Sequence, residues 1–557
     1  MATPVTFGDR TLRFWVLTTR DIYEPGEWQI VPTSSGLLAH AGRLTYGDNS
    51  GSVGGMLEVE FTHTGDGFTW QARARAPGLI KGVKAAIAPL PLGKVMVPLG
   101  ATVDLQEGDR GRVFSFPGGY YPRRHISGSR VEPRSGPIPI WSSPFAVLQT
   151  DHHTLCLQSR EHPPRVKKLW IYRQADHQEL RVYDEADAYR RSSDFTGSLW
   201  RLERVEDWQT AADDYSAWMA QAYGVTPFAE RTDVVPWMKR IGLVVMMHGI
   251  SHDGKILNTF KQMAERLERL AERYPPERTL VELVAFEGRF DHSWPENAPA
   301  PELGGEAGSR RFFETARRLG FHVMPHLNVW GASFENPDHV KWLEHRILDG
   351  EGRPINWSCD FDQDEIDEEI FAYISPDVQA WRAELRSKID EAVTRGFDAI
   401  YLDQVGTFVN DLKHDHFRGL RALYDELSVQ FPGVQQTCEG PTTEGSLALC
   451  PVHLGVSINE DPEHVELYQR LYGRFIRQYW NNPSEPYRPA NSAAGRDLGW
   501  SREGFLRYIE LAEQANGLPT LNLCDYHIQL DTDLVKAVFD WARRYTETLA
   551  GSPVVIS

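Results

Sequence analysis

From about residue 236 to residue 549 the chain repeats one unit, a short apolar run, a polar loop and an amphipathic helix. The run at 241–247 is apolar at nearly every position, as a strand covered on both faces must be. Further runs lie at 279–286, 321–328, 397–402, 434–438, 453–458 and 520–524, with the least defined one expected between 487 and 494. Helical spacing fills the intervals at 256–274, 309–319, 376–395, 417–430, 463–480, 502–515 and 534–549. Gly320 and Gly396 are natural helix stops, and Ser375-Pro376 reads as a cap followed by a first-turn proline. Eight strands alternating with helices predict a (β/α)8 TIM barrel. A doubly wound sheet is the alternative, but no Gly-rich phosphate turn accompanies the first strand.

Residues 1–225 have a different texture. Runs such as 12–16, 56–61, 68–73, 153–158 and 168–172 alternate apolar and polar residues between Gly, Pro, Asp and Asn. That period belongs to half-buried antiparallel strands, and many in series predict a β-sandwich. Helical spacing appears only at 208–223, as a linker. The expected organisation is therefore multidomain, an N-terminal antiparallel β-sandwich over 1–225 and a (β/α)8 barrel over 236–557.

Composition narrows the function. There are 59 Lys and Arg against 77 Asp and Glu, a formal charge of −18, which disfavours nucleic acid or an anionic membrane as the main partner. No stretch is apolar enough to span a bilayer. No signal peptide is visible, so a cytoplasmic location is expected, or a secreted one if a leader was removed. The five cysteines form no Cys-x-x-Cys pair, so neither a zinc ribbon nor a disulfide framework is expected. No metal and no cofactor is predicted. The acidic run 360–364 fails the calcium-loop pattern, with Glu365 where Gly is needed and Phe371 where Glu is needed. His414-Asp415-His416 lies at a helix start, where neighbouring positions do not converge on one ion. The basic runs 123–125 and 165–168 read as solvated faces.

A barrel gathers its chemistry where its strands end. Those ends carry His248, Glu287, His326, Asn328, Trp330, Tyr401, Asp403, Gln404, Glu439, Glu460, Asp461, Asp525 and His527. Asp403 and Glu439 follow adjacent strands, so two carboxyls should share one hollow. Glycoside hydrolysis needs such a pair, one attacking the anomeric carbon or activating water and one protonating the leaving oxygen. Glu444 and Glu460 compete with Glu439 for the proton-donor role. Trp330, Trp357 and Tyr401 are candidate sugar platforms. His248, Glu287, His326, Asn328, Gln404, Glu460, Asp525 and His527 are candidate hydroxyl ligands.

A sandwich followed by a barrel, with Tyr401-Leu-Asp403 closing the fourth strand, resembles the retaining α-glycosidases, the α-galactosidase and endo-α-N-acetylgalactosaminidase-like glycoside hydrolases. The resemblance implies that Asp403 is the nucleophile. In the endo-α-N-acetylgalactosaminidase type it further implies Glu439 as general acid/base. In the α-galactosidase type the acid follows the sixth strand, where only Asp461 would serve. The expected activity is hydrolysis of an α-glycosidic bond in an oligosaccharide or glycoside by retaining double displacement. A non-catalytic carbohydrate-binding barrel and a metal-dependent barrel lyase or isomerase are the alternatives.

Overall fold

The computed structural model describes residues 3–47, 50–99, 101–109, 111–117, 140–359, 368–406, 409–440, 443–455, 462–480 and 502–551. Strands between Val5 and Val205 join into one large antiparallel sheet of 17 strands among the described residues. Period-two burial builds it. In Arg10–Thr18, Leu12, Phe14 and Val16 are buried while the residues between them are partly exposed. The buried set closes over Trp70, Trp141 and Trp200, stacked at 6.1 Å centroid separations. The 165–168 run is not a solvated face. Lys167 is fully buried, ion-paired with Glu161 and 3.8 Å from Asp184, and Arg165 also pairs with Glu161. Neighbouring acid supplied the counter-charge that a buried amine needs.

The linker helix α1 (Trp208–Tyr223) is capped by Asp207, whose side chain accepts from the Thr210 N–H, and stopped by left-handed Gly224. Beyond it come the parallel strands β1 (Leu243–Ile250), β2 (Thr279–Arg289), β3 (His322–Asn328), β4 (Ala399–Asp403), β5 (Gln435–Glu439), β6 (Val452–Gly455), β7 (Arg477–Trp480) and β8 (Thr520–Leu523). They pair in the order β7-β6-β5-β4-β3-β2-β1-β8. Between β7 and β8 the described residues show no ladder, but the Leu518 N–H donates to Gln478 O at 2.7 Å, so the sheet is a near-barrel. Between the strands lie α2 (Phe260–Ala271), α3 (Gly305–Leu319), α4 (Gln379–Arg395), α5 (His416–Gln430), α6 (Pro462–Tyr468) and α7 (Arg502–Gln514), and α8 (Asp533–Gly551) follows β8.

Two expectations fail locally. The seventh strand is residues 477–480, placed by the sequence reading at the end of a helix, and 487–494 lies outside the described residues. The helix instead loosens into a π turn at Gln469–Gly473 and stops there. Ser375-Pro376 does not start a helix. Ser375 Oγ accepts from the Asp377 N–H at 3.2 Å in a turn, and α4 begins at Gln379. The excursion after β3 forms a small sheet of Gly331–Ser333, Asn356–Cys359 and Glu368–Tyr373.

The antiparallel sheet braces the loops that follow β4 and β5. Asn410 Oδ1 accepts from the Ala188 N–H at 2.7 Å, its Nδ2 donates to Glu185 at 2.8 Å, and the Tyr189 hydroxyl donates to Asp415. Glu444, five residues past the end of β5, is fully buried and accepts from the hydroxyls of Tyr215 and Tyr223 on α1, both at 2.9 Å. Burial pushes its carboxyl up to about 7, against the lowering by these hydroxyls, Ser143 and the charge of Lys167. A folded-state value above the unfolded one makes this contribution full below about pH 4.5 and lost as pH rises to about 7. The loss is on the order of 3 kcal/mol at the usual 1.36 kcal/mol per unit. Glu444→Gln should therefore flatten the fall in unfolding free energy between pH 5 and 7 relative to wild type, as read by urea titration at each pH. Parallel curves for the two proteins would contradict this assignment.

Candidate active site

Strand alternation sorts the site. Val244 and Met246 of β1, Met324 of β3, Ala399 and Tyr401 of β4, Val452 and Leu454 of β6 and Tyr479 of β7 share the barrel interior. Their neighbours Val245, Val323, Leu402 and Cys438 pack outward against the helices. The same parity aims Glu282, His326, Asp403 and Glu439 inward and toward the C-terminal mouth.

At the centre, His326 is 5% exposed. One ring nitrogen, Nδ1, lies 2.8 Å from Glu282 Oε1, and Nε2 lies 3.8 Å from Asp403 Oδ1. Burial works against the imidazolium, but the two carboxylates outweigh it and raise its pKa to about 10. Both nitrogens therefore carry protons. Glu282 also accepts from the Tyr479 hydroxyl at 2.8 Å, and Tyr401 donates its hydroxyl to Asp403 Oδ1 at 2.9 Å. Asp403 is thus fixed in orientation by one phenol and faced by one cation.

The other carboxyls around it respond to the same charge. Glu439 is pushed well above the usual range by burial and by Asp403, with Asp291 adding to the effect; His326 and the Gln404 N–H partly offset it. Asp291 is likewise raised by burial and Asp403, against His326 and the Trp357 indole N–H. Glu287 is raised to about 7, chiefly by burial. Asp291 and Gln404 hold positive φ values of 66° and 59°, an arrangement that non-glycine residues adopt at a cost and that clusters at functional sites.

Several predicted residues present polar atoms with no hydrogen-bond partner among the described residues. These are both ring nitrogens of His248, Glu287 Oε2, His326 Nε2, Asn328 Nδ2 and Gln404 Oε1. Asp291 Oδ1, which the sequence reading missed, joins them. Unsatisfied buried polar atoms are expensive, so such a group marks a candidate ligand site. His248 is held neutral, its pKa lowered to about 3 by burial and by His326.

Other predictions are corrected. Trp330 is fully buried and donates its indole N–H to Gln404 O at 2.7 Å, and Asn328 Oδ1 accepts from the N–H groups of Trp330 and Gly331. It holds the loop after β4 and is no sugar platform. Tyr401, also fully buried, acts through its hydroxyl and offers no ring face. Trp357 is partly exposed and donates to Asp291 Oδ2 at 3.1 Å, so a platform role remains geometrically open to it. Asp525 is buried, accepting from the His527 N–H at 2.9 Å and lying 3.8 Å from Lys255 Nζ, while the His527 ring is exposed. That turn is closed by its own carboxylate and leaves the His527 ring exposed. Glu444 is removed from competition by its burial against α1. Glu460, Asp461 and the acidic run 360–364 lie outside the described residues. Glu282 had a sequence signal, a lone carboxylate inside the apolar run 279–286; Asp291 had none, because β2 runs three residues past the expected end.

Solved structures with a similar overall fold include two glycosidases. The α-N-acetylgalactosaminidase NagBb from Bifidobacterium bifidum, solved with GalNAc, superposes with a TM-score of 0.69 at 13% identity, covering 98% of this chain and 93% of that one. TtGalA, an α-galactosidase from Thermus thermophilus in complex with p-nitrophenyl α-D-galactopyranoside, gives 0.54 at 13% identity, with 93% and 95% covered. The chain has an α-glycosidase-like fold. A family model described as a domain of unknown function, DUF6259, matches residues 199–423, spanning the last antiparallel strand, α1 and the barrel through most of α5. No curated protein sequence matches the chain.

The central charge arrangement is directly measurable. The His326 imidazole should stay doubly protonated to beyond pH 9 in nitrogen-15 NMR, and Glu282→Gln should bring its titration down by a unit or more. A neutral His326 at pH 7 in the wild type would refute the assignment.

Proposed function

We propose that the chain hydrolyses an α-glycosidic bond with retention, Asp403 acting as nucleophile and Glu439 as general acid/base. On this reading residues 1–225 form a β-sandwich unit and 236–557 a (β/α)8 catalytic unit. The observation that carries the proposal is a division of labour between two adjacent strand ends. Asp403 is oriented by the Tyr401 hydroxyl and faced by the His326 cation. Glu439 is kept protonated by burial and by the charge of Asp403. A carboxyl held protonated beside one oriented by a phenol and faced by a cation divides the roles of acid and nucleophile.

In the first step Asp403 attacks the anomeric carbon as the bond to the leaving oxygen breaks, and the Glu439 proton passes to that oxygen. The glycosyl-enzyme ester leaves Glu439 ionised. It then takes a proton from water, which attacks the same carbon and releases Asp403. The neutral His248 and the free oxygens of Glu287 and Asp291 supply acceptors for sugar hydroxyls, and Asn328 Nδ2 supplies a donor. The names of the two superposed enzymes suggest α-galactosides and α-N-acetylgalactosaminides as first substrates. No helix among the described residues is long and apolar enough to cross a membrane.

With p-nitrophenyl α-galactoside and its N-acetylgalactosaminide as probes, Asp403→Asn should lower kcat by roughly three or more orders of magnitude. Asp403→Gly with azide should release the β-glycosyl azide, and Glu439→Ala with azide the α anomer. Proton NMR of the wild-type reaction should show the α sugar forming first. Near-normal turnover in Asp403→Asn, or a first-formed β sugar, would end this reading. As pH rises through the raised Glu439 value, kcat should fall, and Glu439→Gln should lose that limb.

A further inference from the structure

A second cluster of chemically distinctive side chains lies behind the mouth, between strands and helices. Cys438 precedes Glu439 on β5 and, by strand alternation, faces the helix layer. The parallel register sets Cys438 beside His453 of β6, and Cys450 stands on the turn entering that strand. The Cys438 and Cys450 sulfurs are 3.1 Å apart, and one donor atom from each of the three residues falls within 4.8 Å of the others. All three side chains are fully buried.

The imidazole fixes what the cluster offers. His453 Nε2 lies 2.8 Å from Cys450 O, and a carbonyl only accepts, so Nε2 carries the proton. Nδ1 is the ring nitrogen left to act as a ligand, buried and without a hydrogen-bond partner among the described residues. A metal-binding histidine is prepared in this way, one nitrogen donating to a backbone carbonyl and the other left free as ligand. The Tyr424 hydroxyl on α5, donating to Thr437 O at 3.2 Å, sits against both sulfurs.

We propose that Cys438, Cys450 and His453 Nδ1 bind one thiophilic d10 cation, Zn2+ or Cu+. Two sulfurs and one imidazole without a carboxylate are a soft donor set, which selects these ions over Mg2+ or Ca2+. At metal–sulfur bonds of about 2.3 Å, two thiolates on one tetrahedral ion stand roughly 3.8 Å apart, so the sulfurs separate by a little over half an ångström on binding. Each thiol releases its proton as its sulfur–metal bond forms, and no oxidation state changes. Zn2+ takes the Tyr424 oxygen as a fourth ligand, whereas Cu+ is satisfied by three. The ion ties β5 to β6 one residue from Glu439, from the side opposite the mouth. It is therefore structural, independent of the glycosidase reading, and read by metal content.

The test is elemental analysis of the full chain purified under reducing conditions from cells grown with added zinc, and separately with added copper. One metal per chain is expected in one of these arms. Cys450→Ser and His453→Gln should each lower the content at least fivefold while the circular dichroism spectrum is retained. Replacing the ion with Co2+ should give the sulfur-to-cobalt charge-transfer band, absent in Cys450→Ser. Less than a tenth of an equivalent in both arms would overturn the proposal. So would unchanged content in both variants, or an intact mass two daltons light with a Cys438–Cys450 cross-linked peptide, which would make the pair a disulfide.

Discussion

A buried imidazolium flanked by carboxylates organises this barrel. Among the described residues the interior mouth gathers Glu282, Glu287, Asp291, Asp403 and Glu439 around one cation, His326. A low-dielectric hollow does not hold five ionised acids against one positive charge. Burial, joined at Asp291 and Glu439 by the charge of Asp403, therefore favours the protonated form, and raised values follow at Glu287, Asp291 and Glu439. Asp403 is met directly by the Tyr401 hydroxyl and faced by His326. The different surroundings of Asp403 and Glu439 thus follow from where a single histidine lies.

The fold supports that arrangement from two sides. From below, barrel-interior residues such as Met324 and Val452 keep water away from Glu282. From outside, the antiparallel sheet and α1 clasp the loops after β4 and β5 through Asn410, Asp415 and Glu444. Those loops follow the two strands that end in Asp403 and Glu439. The N-terminal half is therefore part of the site's rigidity even though it lends the described mouth no side chain.

Much of the site was legible because strand ends in a parallel barrel are where polar residues must appear. Apolar runs fixed where β4 and β5 end, and Asp403 and Glu439 follow directly. Asp291 escaped because β2 overruns its apolar segment, and Tyr479 escaped because the four residues of β7 adjoin a helical pattern. Gly473 was the available break within the helical spacing read across 463–480. Trp330 and Tyr401 were seen as rings, yet their polar tips are what count. A sequence gives a side chain's chemistry but not which end of it meets a neighbour.

Local patterning alone determined the two textures of the chain, the parity of each strand and the placement of the carboxylate pair, because these depend on residues adjacent in sequence. Tertiary structure decided the protonation states, the demotion of Glu444 to a brace, the burial of Lys167 and the meeting of Cys438, Cys450 and His453. Each depends on the distance between groups far apart along the chain and on how much water reaches them. Electrostatic energy follows that distance and that dielectric, and neither is written in residue order.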